Sequence, residues 1–174
     1  TRETGEMIEN SLTAGFLSAG VEVKELGVIP TPILGFSSRK LSSDVGAMIT
    51  ASHNPPDYNG IKFFDSRGMA ISPEREKKIE EVYPAGDFDG ADWDEIGDIG
   101  SFDPIYSYLE KFVDEVELDT GFKVVVDCAN GPAAKVTPYL LERLGCDVIT
   151  INSQLDGRFP GRMPEPTEEN LRDL

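Results

Sequence analysis

Short apolar segments alternate with amphipathic ones along most of the chain, and this alternation limits the folds that it can adopt. The apolar segments include residues 45–49, 61–64, 123–126 and 148–151. Strands of this kind, separated by helices, pack into an open sheet with helices against its faces. We therefore predict an α/β fold in which a mixed, mostly parallel sheet is layered with helices.

The helical segments are recognised by their spacing and by their first residues. Residues 6–19 place apolar side chains on one face of an amphipathic helix. Thr-Pro at residues 31–32, Ser-Pro at 72–73 and Asp-Pro at 103–104 predict the starts of three more helices. Ser, Thr and Asp cap helices well, and Pro suits the first helical turn. A last helix is predicted over residues 136–144.

Two irregular stretches divide the chain. Residues 87–103 are acidic and rich in Gly but lack the full Asp-x-Asp-x-Asp-Gly pattern of an EF-hand calcium loop, so we predict a solvated connection there. Polar, turn-prone residues at 117–121 mark a predicted boundary between a first domain, residues 1–118, and a second, residues 119–174. The second domain is too short for a core of its own, and the first opens on a helix without a preceding strand, so we expect a fragment.

The net charge of −16, from 32 acidic and 16 basic residues, restricts the partners. Nucleic acids and anionic membranes demand a basic surface, so we expect neither as a partner. The sequence shows no apolar run long enough to span a membrane and no secretory leader, which favours a cytoplasmic location. Cys128 and Cys146 are expected to be buried thiols rather than a disulfide.

A loop with the sequence Thr-Ala-Ser-His-Asn-Pro-Pro follows a buried strand at residues 50–56. Ligands of α/β sheets gather at the carboxyl ends of strands, where loops can aim backbone N–H groups at a phosphate. Ser52 would hold its hydroxyl at this edge, and His53 could donate to a phosphate oxygen or move a proton. Lys62, on the strand that follows the loop, could reach the same site and supply a positive charge there. The residues alone allow either a phosphate loop or a plain turn.

The same residues resemble a known active-site signature. Residues 50–55, followed by Tyr-Asn-Gly-Ile-Lys at 58–62, resemble the signature of the α-D-phosphohexomutase family. This family includes phosphoglucomutase, phosphomannomutase and phosphoglucosamine mutase. Flanking segments that also resemble the family are residues 1–4, 28–32, 124–131, 159–166 and 170–171. The similarity therefore extends over nearly the whole chain.

The resemblance implies a four-domain, Mg²⁺-dependent enzyme of which this chain holds most of the first domain and the beginning of the second. It implies that Ser52 is phosphorylated and that its phosphate ligates Mg²⁺, with the remaining metal ligands outside this chain. His53 and Lys62 would assist phosphoryl and proton transfer as catalytic residues, and Arg2 would lie near the active site and bind substrate. Because the metal, sugar and distal phosphate loops of the family are missing, the fragment alone is expected to be inactive.

The implied activity is that of an intramolecular phosphotransferase, an isomerase that interconverts hexose 1-phosphates and hexose 6-phosphates through a hexose 1,6-bisphosphate. Phosphomannomutase/phosphoglucomutase is our first interpretation and phosphoglucosamine mutase the alternative, because the sugar-specific residues are expected in a third domain. A non-catalytic binding module derived from a mutase is a hypothesis of another class, and the intact Ser52, His53 and Lys62 count against it. A phosphoserine phosphatase is disfavoured, since nothing here supplies a base to activate water.

Overall fold

The computed structural model describes residues 1–86, 88–118 and 121–174, in which helices and strands mostly alternate. The helices in these ranges are α1 (Gly5–Ser18), α2 (Thr31–Leu41), α3 (Pro73–Ala85), α4 (Ile105–Glu115) and α5 (Thr137–Arg143), with a 3-10 turn at Pro132–Lys135. The strands are β1 (Val23–Glu25), β2 (Val45–Ile49), β3 (Ile61–Asp65), β4 (Ile99–Ser101), β5 (Lys123–Asp127) and β6 (Asp147–Ile151).

The strands pair two by two. β1 runs parallel to β4 and β5 runs parallel to β6, whereas β2 and β3 form an antiparallel hairpin. This mixed, mostly parallel pairing with flanking helices confirms the predicted α/β fold class. The hairpin places Ile49 opposite Ile61, and the Thr50 N–H donates to the Gly60 carbonyl at 2.8 Å. The predicted site loop therefore connects the two strands of this hairpin. Both ends of the loop are fixed to the same rigid element.

The helix starts follow the local sequence signals closely. Ser72 is the N-cap of α3, as its Ser-Pro pair predicts. α2 begins one residue early, because Thr31 is already helical and Pro30 takes the cap position. At the start of α4, the Asp103 carboxylate accepts the Ile105 N–H at 3.0 Å, so it satisfies a donor that the helix leaves free.

The prediction of an unstructured connection over residues 87–103 is wrong for its last part. Residues Ile99–Ser101 form β4, which pairs with β1 in the register Val23 to Ile99. A three-residue strand with Gly at its centre carries too little pattern to be recognised in sequence. Asp87, at the other end of the predicted connection, lies outside the described residues.

One hydrophobic core joins the two predicted domains. Its buried members are Ile29, Ile33, Leu34, Phe64, Leu109 and Val136. Val136 comes from the second predicted domain and packs with residues of the first. The second unit therefore leans on the first along α4 and α5. The predicted boundary at residues 117–121 includes two residues, Asp119 and Thr120, outside the described ranges, and it stays a prediction.

Both cysteines are thiols, as expected. Cys128 is buried, whereas Cys146 is only partly buried. Burial raises the pKa of the Cys128 thiol, and the neighbouring Asp127 carboxylate raises it further, so this thiol stays neutral. Across the part of the chain that the structure describes, no helix combines the length and the apolar character needed to cross a bilayer.

Candidate active site

The end of the β2–β3 hairpin presents Ser52 at the protein surface. Ser52 has a φ of 55°, in the left-handed region that few residues other than glycine adopt. Its N–H donates to the Thr50 hydroxyl at 3.0 Å, and the Asn54 N–H closes the turn on the Ala51 carbonyl at 3.1 Å. A left-handed residue costs about 1–2 kcal/mol and persists only where its surroundings hold it. The backbone here is therefore arranged to expose one hydroxyl.

The imidazole of His53 lies between that hydroxyl and a carboxylate. Its Nδ1 is 3.4 Å from the Ser52 Oγ, and its Nε2 is 3.1 Å from Oε2 of Glu165. A hydrogen bond at one ring nitrogen fixes the role of the other, so Glu165 favours a proton on Nε2 and turns Nδ1 toward the hydroxyl. Glu165 was missed in the sequence. Its Pro-Glu-Pro stretch resembles the family, but nothing local shows that it meets His53.

Arg2 lies buried beneath the loop and binds its backbone. One terminal nitrogen donates to the carbonyls of Pro55 at 2.6 Å and Tyr58 at 2.9 Å. The other donates to the carbonyls of Ser52 at 3.1 Å and Asn54 at 2.7 Å. Burial lowers the pKa of the Arg2 guanidinium, but from so high a value that the group stays charged. Its predicted role as a substrate-binding residue stays a prediction.

Lys62 lies on β3, opposite Met48 on β2. Directly paired residues share a face of the hairpin, and Met48 packs against the core while Phe64, two residues along β3, is buried within it. Lys62 is thus at the loop end of the core-facing side, where it is exposed. Its side chain makes no hydrogen bond or ion pair with any residue in the described ranges. The structure brings Arg2, Ser52 and His53 together and leaves Lys62 one strand away.

A loop from the second unit covers one side of this site. We call residues 152–166 the covering loop. Its Phe159 ring lies 5.3 Å from the Arg2 guanidinium carbon, and Phe159 is itself buried. The backbones also meet, because a Cβ added to Gly157 would lie 2.2 Å from the Thr1 carbonyl oxygen. The covering loop therefore contributes both an aromatic face and the carboxylate that meets the histidine.

A buried ion pair holds the covering loop in place. The Asp127 carboxylate, at the end of β5, accepts hydrogen bonds from the Arg162 guanidinium, from the Asn152 amide at 3.0 Å and from the Ala129 N–H at 2.9 Å. Burial raises the pKa of Asp127, but the bonds from Asn152, Arg162 and Ala129 outweigh it, so this pKa lies below its ordinary value. Asn130, fully buried beside it, donates to the covering loop as well.

A turn within the covering loop should make the protein sensitive to acid. Asp156 accepts hydrogen bonds from the Arg158 guanidinium and N–H, which lower its pKa from 3.8 to about 2. A folded-state pKa below the unfolded value gives stability that is present above the unfolded pKa and lost as the pH falls. We expect the contribution of Asp156 to the free energy of unfolding to be level above about pH 4 and to fall toward pH 2. Denaturant titrations should show a shallower fall for Asp156→Asn, and identical slopes would contradict this assignment.

The residues that the structure describes fit only part of a metal site. They contain no group of three or more His, Cys, Asp or Glu side chains placed to bind a metal ion. A phosphate on the exposed Ser52 hydroxyl would supply oxygen ligands of the kind that Mg²⁺ prefers. A cleft of about 1270 Å³ reaches this residue, and Ser52, His53 and Asn59 are among the residues that line it.

Fold and site together define an α/β protein that presents a serine hydroxyl, beside an imidazole, from a strand-end loop. Two family descriptions match it: phosphoglucomutase/phosphomannomutase alpha/beta/alpha domain I over residues 1–90 and domain II over residues 106–174. The chain belongs to the phosphoglucomutase/phosphomannomutase family. The resemblance drawn from the motif is thereby confirmed. The second match begins within α4.

Named relatives and solved structures agree with this assignment. The phosphoglucosamine mutase of Methanocaldococcus jannaschii is 50% identical over 99% of this chain and 38% of its own length. The phosphoglucomutase/phosphomannomutase of Thermococcus kodakarensis is 44% identical over 99% of this chain and 39% of its own. A crystal structure of a phosphoglucomutase/phosphomannomutase family protein from Burkholderia thailandensis gives a TM-score of 0.89 at 32% identity, over 99% of this chain and 38% of that one. The chain thus spans about 38% of the length of the curated relatives it matches.

Proposed function

We propose that the whole protein carrying this chain is an intramolecular phosphotransferase that interconverts hexose 1-phosphates and hexose 6-phosphates, with Ser52 carrying the phosphoryl group. The observation that supports this most is the placement of Ser52: its exposed hydroxyl is held on a strained turn, 3.4 Å from an imidazole nitrogen. The family assignment and the mutase names of the relatives support the same reaction. Hexose phosphates as small-molecule partners and a cytoplasmic location belong to this proposal.

The transfer proceeds in two displacements. In the first, the bond between the Ser52 oxygen and phosphorus breaks while phosphorus bonds to the free hydroxyl oxygen of a hexose phosphate. That hydroxyl loses its proton, the serine oxygen gains one, and a hexose 1,6-bisphosphate results. In the second, the reoriented bisphosphate returns its other phosphoryl group to Ser52 with the proton movements reversed. A stored phosphoryl group thus converts a shift between distant sugar oxygens into two direct steps.

The described residues would position the reactants and move a proton. His53 is placed to give a proton to the leaving Ser52 oxygen and to take one back, since its Nδ1 faces Oγ. Glu165, at the other ring nitrogen, would stabilise the imidazolium that carries this proton before the first displacement and after the second. Mg²⁺, bound through the Ser52 phosphate and through ligands outside this chain, would supply Lewis-acid screening of the phosphoryl charge. In a chain of net charge −16, Lys62 and Arg2 would supply positive charge locally.

The first substrate class that we propose is mannose and glucose phosphates, and the second is glucosamine phosphate. The M. jannaschii relative, named a phosphoglucosamine mutase at 50% identity, favours the second candidate. Turnover assays of the whole protein with glucose 1-phosphate, mannose 1-phosphate and glucosamine 1-phosphate separate the two. Mass spectrometry should show one phosphate on Ser52. Turnover of none of the three sugars, with Ser52 phosphorylated and the bisphosphate activator present, would argue for a non-catalytic module.

Changing Lys62 to methionine should lower kcat far more than stability. A cation that meets charge developing on the transferring oxygens is worth about 3 kcal/mol if it resembles an oxyanion donor, so the rate should fall roughly a hundredfold. If Lys62 were an exposed lysine without a role, its replacement would leave the kinetic constants unchanged. The stability would then change by no more than about 0.5 kcal/mol. Steady-state kinetics of the whole enzyme test this. Lys78→Met, at an exposed position of α3, is the matched control. A folded Lys62→Met enzyme with wild-type kcat would remove Lys62 from the site.

A further inference from the structure

Four of the five N–H donors of the Arg2 guanidinium are committed to the protein itself. A guanidinium carries two N–H groups on each of its terminal nitrogens, in a fixed planar fork. All four of these donors in Arg2 point to backbone carbonyls, those of Ser52, Asn54, Pro55 and Tyr58. A sugar phosphate that bound this fork would have to displace bonds that hold the Ser52 loop together.

The surroundings of the guanidinium agree with an internal role. Arg2 is 8% exposed, and its cover is the Phe159 ring, which is 9% exposed. Within the described ranges no carboxylate forms an ion pair with Arg2. The charge is held instead by carbonyl dipoles on one side and by the negative face of an aromatic ring on the other. Arg2 lies in the wall of the cleft, but an arginine held in this way has its terminal N–H groups turned to the loop carbonyls rather than to a ligand there.

We propose that Arg2 is a positioning residue: it acts on the reaction by fixing the backbone of the Ser52 loop, with Phe159 of the covering loop holding the guanidinium in place. The inference rests on the proposed function and assigns Arg2 a role other than substrate binding. The bond from Arg2 to the Ser52 carbonyl stabilises the left-handed turn at φ 55°, and that turn aims Oγ at His53. The remaining three bonds hold the rest of the loop around the same centre.

This role predicts which kinetic constant changes. A loop that relaxes by about 1 Å misplaces the phosphoryl group and can lower the rate about a hundredfold. Binding of the sugar phosphate would be little affected, since the terminal N–H groups of Arg2 bond the loop carbonyls instead. A loss confined to the transition state lowers kcat and leaves KM in place, whereas a lost substrate contact raises KM.

The test uses Arg2→Lys in the whole enzyme. Lysine keeps the charge but has a single ammonium, which cannot reach four carbonyls around a planar fork. We expect kcat to fall about a hundredfold, with KM within about twofold of the wild-type value. Hydrogen exchange at the loop amides of Asn54 and Tyr58 should become faster. Arg75→Lys, at an exposed position of α3, should change none of these quantities.

The possible results decide between the two roles of Arg2. A raised KM with unchanged kcat and unchanged loop exchange would mean that Arg2 binds substrate, and would overturn the proposal. Should Arg2→Lys fail to fold, Phe159→Leu keeps the arginine and removes only the ring. It should lower kcat severalfold at constant KM and speed up loop exchange, and no change in either would overturn the proposal. If the wild-type protein lacks mutase activity, the proposed function fails, whereas loop exchange in Arg2→Lys still tests the placement of Arg2.

Discussion

Ser52→Ala in the whole protein is expected to abolish mutase turnover and to leave the fold intact. Alanine has no oxygen to carry a phosphoryl group, so neither displacement can occur. The fold should persist because the Ser52 side chain is exposed and its Oγ contacts only His53 among the described residues. Replacing such a surface side chain changes stability by about 0.5 kcal/mol.

Turnover should be measured with a hexose 1,6-bisphosphate activator present, so that loss of the stored phosphate is not mistaken for loss of chemistry. Mass spectrometry should find the variant unphosphorylated at this loop, and circular dichroism should match the wild type. Ser66→Ala, at an exposed serine just after the far end of the hairpin, is the matched control and should keep both activity and phosphate. Near-normal turnover by a folded Ser52→Ala enzyme would disprove the nucleophile assignment.

Arg162→Met is expected to give the largest loss of stability. The Asp127 side chain is 4% exposed and its ion-pair partner Arg162 is 11% exposed. Removing the guanidinium leaves a buried carboxylate without its counter-charge, which costs about 3–5 kcal/mol. The covering loop should loosen as well, since this pair holds it to the end of β5. Denaturant unfolding of the whole protein, followed by a probe in the second unit, measures the loss.

The covering loop contains its own control for that experiment. Arg158 pairs with Asp156 within the same loop, but its side chain is 71% exposed. Exposed ion pairs contribute about 0–1 kcal/mol, so Arg158→Met should be nearly neutral near pH 7. Adding Asp127→Asn to Arg162→Met should recover part of the lost stability, because the unpaired charge is then gone. Equal losses for the Arg158 and Arg162 variants would show that burial does not set the size of the effect.

Local chemistry made much of the fold predictable. Ser72 and Pro73 occupy the N-cap and the first position of α3, as the Ser-Pro pair predicts, and the strand before Ser52 is visible as a run of apolar residues. Ser52 and His53 are consecutive residues, so their proximity could also be predicted from the sequence. The class of fold and the loop that carries the site could therefore be read from residues that lie next to each other.

Contacts between distant residues could not be predicted. β4 forms a strand because it pairs in parallel with β1. Its three residues alone show no hydrophobic pattern that would predict a strand. Nothing near Arg2 indicates that its side chain meets carbonyls of the Ser52 loop, and nothing near Glu165 indicates a histidine. These contacts depend on how hairpin, helices and covering loop pack together. The residues that position the site are thus harder to recognise than those that carry its chemistry.

The site is built from segments that lie far apart in the chain, and this sets the order in which its parts can form during synthesis. Phe159 follows Tyr58 by about 100 residues, so at about 5–20 residues per second the ribosome releases the aromatic cover roughly 5–20 s after the Ser52 loop. In that interval the nascent chain can close the β2–β3 hairpin, but Arg2 still faces water on one side. The site is therefore completed late in synthesis, and a chain that stalls before residue 159 has the Ser52 loop but lacks the ring that covers Arg2.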